Sequence, residues 1–70
     1  MKIVSVKKDS ICFNSTRGEY GFVYPNESKF FKTTEQIVGR KLNWIEFNGL
    51  TPVQIVDTNK IVWVNPTDII

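Results

Sequence analysis

The sequence predicts an all-β protein: residues 1–70 as a small single-domain barrel, OB-like or SH3-like, with five to seven short strands and one short helical turn. Three observations lead there. β-Branched and aromatic residues recur in short runs bounded by Gly, Pro, Asn and Asp. A chain of 70 residues supplies one core, near the lower limit of what folds without staples. So many strands in so little chain leave open edges unless the sheet closes on itself.

The elements follow in order. KIVSV (Lys2 to Val6) and SICFN (Ser10 to Asn14) flank the polar turn Lys7-Lys8-Asp9 and are expected to form a hairpin. EYGFVY (Glu19 to Tyr24) reads as the next strand, ending at Pro25-Asn26 because proline has no N–H for a ladder. KFFK (Lys29 to Lys32) is long enough for a short strand of its own. In TTEQIVG, Thr33 is placed to cap a helical turn, Gln36 to complete a capping box and Gly39 to end it. KLNWIEF (Lys41 to Phe47) then runs into Asn48-Gly49, which tolerates the positive φ of a tight hairpin turn. PVQIV (Pro52 to Val56), the turn Asp57 to Asn59 and KIVWV (Lys60 to Val64) form a second hairpin, closed by Asn65-Pro66. The tail TDII is placed to tuck Ile69 or Ile70 against the barrel.

Composition narrows the function. Cys12 is the only cysteine and there is no histidine, so there is no internal disulfide, no thiolate zinc framework and no side chain that titrates unperturbed near neutrality. With no paired carboxylates and no phosphate-binding loop, no catalytic residues, metal or cofactor are assigned, and an enzyme is not expected. No apolar run approaches the about 20 residues that span a bilayer, and MKIVSVKKDS is too short and broken for a signal peptide. The expected location is cytoplasmic, with no membrane contact. Charge is uneven: eight cations oppose four carboxylates from Met1 to Lys41, whereas Lys60 alone opposes three from Leu42 onwards.

The basic half also holds the aromatic residues. If EYGFVY is a strand, Tyr20, Phe22 and Tyr24 stand in a row on one face. Such a row either fills a core or offers flat surfaces to a ligand. The other apolar residues, among them Ile3, Ile11, Phe13, Phe31, Trp44, Ile45, Phe47, Val56 and Trp63, already exceed one barrel's need. Some rings are therefore expected outside, with Phe30 rather than Phe31 among them. Tyr20, Phe22 and Phe30 then supply stacking faces for a single strand of RNA or DNA, with Arg17 and Lys32 beside them and Lys7, Lys8 and Lys29 nearby for phosphates.

These segments resemble the cold-shock domain. Phe13-Asn14 matches the end of that family's first strand, and Arg17-Gly18-Glu19-Tyr20-Gly21-Phe22-Val23 is similar to its Lys-Gly-Phe/Tyr-Gly-Phe-Ile motif with Glu19 inserted. KFFK sits where the family has Val-Phe-Val-His, VGRKLNWIEFNG (Val38 to Gly49) resembles its Gly-Gln-x-Val-x-Phe strand, and LTPVQIV its last one. The resemblance covers Ile11 to Val56 and implies a five-stranded OB-like barrel that binds single-stranded nucleic acid. The chain departs from it at Cys12, where the family has tryptophan, at Ile11, where it has lysine, and at Lys32, where it has histidine.

A second reading comes from LNWIEF and KIVWV, which are apolar on both faces. Something must cover their outer side: the N-terminal hairpin, the tail, a second copy of the chain or a protein partner. Trp44 and Trp63 are the candidate interface residues for a protein-interaction module, an inhibitor or adaptor that docks an apolar surface or open strand edge.

Overall fold

The computed structural model describes Lys2 to Ile70 and is all-β. Its strands are β1 (Lys2–Val6), β2 (Ile11–Arg17), β3 (Val23–Lys32), β4 (Ile37–Lys41), β5 (Thr51–Ile55) and β6 (Ile61–Val64), with 3₁₀ turns at Glu19–Gly21 and Pro66–Asp68. They form one sheet in the order β1-β4-β5-β6-β2-β3, with every neighbouring pair antiparallel.

That order forces the sheet to curl. In a flat sheet β1 and β2 would lie four strand spacings apart, about 19 Å. The chain from Val6 to Ile11 reaches only about 17 Å when fully extended, and it contains a turn with Asp9 at φ 66°. The corner is stitched to the end of β3 by Thr33, whose hydroxyl accepts from Ser10 N at 2.9 Å and donates to Lys7 O at 2.8 Å. Asp9 N also donates to Thr33 O, and Thr33 N to Ser10 O. The expected hairpin of the first two strands is thus a corner: β1 pairs with β4, and β2 with β3 and β6. Likewise, the side chain expected to cap a helix at Thr33 is a buried cross-link between strands. The segment after it makes a bend and enters β4.

Valine dominates the core: Val4, Val6, Val53, Val62 and Val64 surround Cys12, with Phe31, Ile37, Ile55 and Ile69 packed against them. Ile69, not the exposed Ile70, is the tail residue that tucks in. Its backbone bridges Val6, and Ile70 N donates to Ser5 O, so the tail covers part of the free edge of β1. Gly39 ends no helix; it is buried in β4, where a Cβ would collide with Val53 Cγ1. Asn48-Gly49 forms the expected tight turn, with φ of 52° and 76° and reciprocal hydrogen bonds between Phe47 and Leu50.

KLNWIEF is not a strand beyond Lys41. Leu42 to Glu46 leave the sheet, and Trp44 packs over Trp63 with ring centroids 6.4 Å apart. Trp63 lies outside the valine cluster, on the opposite face of the sheet, yet is only 2% exposed. Its Nε1 donates to Ser15 Oγ at 3.0 Å, and that hydroxyl donates to Ile61 O at 2.7 Å. The cover expected over β6 is therefore the β4–β5 segment of the same chain. Releasing that segment leaves Trp44, a candidate interface residue, exposed, and with it Ile45 and Phe47; these two and the exposed Ile3, Ile11 and Val56 are counted from the sequence as apolar volume for the core.

Candidate nucleic-acid interface

β2 and β3 form a ribbon with a defined outer face. Cys12 points into the core, so by strand alternation Ile11, Phe13, Ser15 and Arg17 point outward. Their partners across the ribbon are Lys32, Phe30, Pro25 and Val23. Phe30 is 58% exposed and lies 5.7 Å from the half-buried Phe13, ring centre to ring centre. Phe31, opposite Cys12, turns inward. No carboxylate stands among these eight positions, of which Pro25 is buried and Phe13, Ser15 and Val23 are half-buried.

A bulge divides the ribbon. Phe13 pairs with Phe30 but Asn14 with Asn26, so Glu27, Ser28 and Lys29 are looped out of register. The local cause is an Asx turn in which Asn26 Oδ1 accepts from Ser28 N at 3.1 Å and from Ser28 Oγ at 2.7 Å. KFFK is thus the second half of β3 and not a separate strand. Pro25 does not end the strand either; β3 is an edge, where a missing N–H interrupts no ladder on the open side.

EYGFVY is not one strand. Glu19 to Gly21 form a 3₁₀ turn with Tyr20 at φ 61° and Gly21 at φ 80°, closed by Gly18 N donating to Phe22 O at 2.7 Å. Tyr20, Phe22 and Tyr24 therefore share no strand face. Tyr20 and Phe22 are 95% and 74% exposed at the tip of the ribbon, whereas Tyr24 leans on Phe47 with centroids 6.1 Å apart. Gly18 and Gly21 signal the turn in sequence, but alternation of the aromatics points the other way. Gly21 acts through its positive φ.

The cations divide between the two ends of the ribbon. Arg17 ends β2 near the tip, and Lys32 stands opposite Ile11 at the other end. Lys7 and Lys8 are exposed in the corner joined to Thr33, the residue after Lys32. Lys29 projects from the bulge and, with Arg17, lines a groove of about 530 Å³ whose far wall includes Asn59 and Lys60. Sequence reading gave Lys60 no role and placed Phe13 in the core. The β2–β3 pairing sets Phe13 beside Phe30, and the long-range β2–β6 pairing brings Lys60 to the site.

Cys12 is buried, and burial, followed by the nearby negative charge of Asp68, pushes its thiol up from 9.0 to about 11. It is no nucleophile at neutral pH. Among the described residues no group of three or more His, Cys, Asp or Glu is placed to hold a metal ion, and no helix is long and apolar enough to cross a membrane. Compared with protein-family models, curated proteins and solved structures, the chain finds no match.

Proposed function

We propose that the chain binds single-stranded RNA or DNA along the outer face of β2 and β3, without catalysis. What supports this is the composition of that face. It runs from Lys32 through Phe13 and Phe30 to Arg17, continues to the exposed Phe22 and Tyr20, and has no carboxylate among its paired positions. The seven residues of β2 extend about 20 Å, room for a few nucleotides. Rings provide stacking for bases of any sequence, and flanking cations take the phosphates. The resemblance to cold-shock domains points to the same ligand class and to an OB-like barrel. An unpaired thiol suits a reducing, cytoplasmic setting.

Binding of a labelled pyrimidine strand to ring-deletion variants tests this reading. Phe30→Ala and Phe22→Ala each weaken affinity by about 1 to 3 kcal/mol, or ~5- to 150-fold, while the fold survives. Unchanged affinity in both variants rejects the face.

A second reading has its own observation: Ile45 is 91% exposed between Trp44 and Phe47, themselves 44% and 45% exposed. This apolar segment is the part of the surface suited to docking a protein partner or a second copy of the chain. Trp63, lying beneath Trp44, supports such a surface from below.

A further inference from the structure

We infer that the groove between the β3 bulge and the β5–β6 turn is a phosphate-binding site. The argument is one of hydrogen-bonding polarity. Arg17, Lys29 and Lys60 line the groove and no carboxylate does. Asn14, Asn26 and Asn59 line it as well, and the side-chain oxygen of Asn26 is engaged elsewhere. Asn26 Oδ1 accepts twice from Ser28, which leaves its amide nitrogen as the free end. Asn14 Oδ1 is buried without a partner among the described residues. The Ser15 hydroxyl is already engaged, donating to Ile61 O and accepting from Trp63 Nε1.

The charged side chains of the groove are thus all cations, with the Asn26 amide nitrogen as a free donor beside them. Their complement is a compact anion with several acceptor oxygens, and a phosphate group has both the charge and the oxygens. Lys60 is poised to join it. Its ammonium rests 5.3 Å from the centre of the Phe31 ring, a neutral partner that a phosphate readily outcompetes. Arg17 belongs both to this groove and to the outer face of β2, so a strand crossing Phe13 and Phe30 reaches the groove at that end. That the phosphate belongs to a nucleic-acid strand rests on the function proposed above; the site itself does not.

The experiment is a titration of the folded, isotope-labelled protein with inorganic pyrophosphate at low salt, followed by nuclear magnetic resonance. The site predicts saturable shifts at Arg17, Lys29, Lys60 and the Asn26 amide, weakened at least tenfold by Lys29→Gln, a change on an exposed bulge that leaves the core intact. Shifts that fail to saturate, or that spread equally to Lys2, Lys7 and Lys8, overturn it. Adding a pyrimidine strand bearing a terminal phosphate, and the same strand without one, separates the two claims. Displacement of pyrophosphate by either strand ties the site to nucleic acid, through a terminal phosphate if only the first competes. Saturable pyrophosphate binding that neither strand displaces upholds the groove and rejects the nucleic-acid reading.

Discussion

Phe30 and Phe31 are adjacent in the chain and opposite in role, because a strand sends successive side chains to opposite faces. Phe31 packs on the valine core and Phe30 stands in solvent beside Phe13. Phe31→Ala should therefore cost about 3 kcal/mol of stability through the cavity it leaves, whereas Phe30→Ala should cost well under half of that; urea unfolding of both variants gives the comparison. Cys12 adds a pH dependence. Its thiol holds its proton up to about 11 in the folded protein against 9.0 when unfolded. Below pH 9 both states are protonated and the group favours neither. As pH rises from 9 towards 11 the unfolded chain releases the proton while the folded one keeps it, so stability falls. The stability difference between the parent and Cys12→Ala should shift by ~2 kcal/mol against the parent over that interval, measured by urea unfolding at each pH.

At the level of elements, legibility tracked how local the determining interaction is. β1 has the predicted bounds, Asn48-Gly49 makes the predicted turn, and β5 and β6 lie within a residue of their expected limits. In each, the turn chemistry and the β-branched residues favour the same conformation. TTEQIVG misleads because its capping residue is used elsewhere: a buried hydroxyl that bonds Lys7 and Ser10 outweighs one turn of helix. KLNWIEF misleads because it packs across the sheet instead of joining it, a choice decided by Trp63 far along the chain. Gly39 shows the same dependence on distant partners. It reads as a helix terminator, yet it sits where β4 pairs with β5, with Gln54 O only 2.9 Å from the position of a Cβ. Gly39→Ala should destabilise the protein by about 1 to 3 kcal/mol through overpacking, seen as a lower urea midpoint with an unchanged slope.

Over the whole molecule, closure comes from a short link. Four residues from Lys7 to Ser10 join strands that lie far apart in sheet order, and the curl they impose brings the end of β3 against the corner between β1 and β2. That some rings stay outside, Phe30 rather than Phe31 among them, was legible in the sequence, because the apolar residues exceed what so small a core can bury; whether Tyr20 and Phe22 are exposed was not, since alternation places them on a strand face and the chain makes a turn there. The parts played by Phe13, Lys60 and the asparagine-lined groove were not, since they depend on the β2–β3 and β2–β6 pairings and the β3 bulge. Uneven charge makes an additional demand. If the basic ribbon takes phosphates, affinity must depend on salt in proportion to the cations engaged, with a logarithmic slope near −0.7 per contact for a single strand.

The most direct test is a fluorescence-anisotropy titration of a short pyrimidine single strand across a series of salt concentrations. With three or four of Arg17, Lys29, Lys32 and Lys60 engaged, affinity should be saturable at low salt and fall with a logarithmic slope of about −2 to −3. No saturable binding at low salt, or binding that is indifferent to salt, would contradict the account and leave the apolar segment around Trp44 as the functional surface.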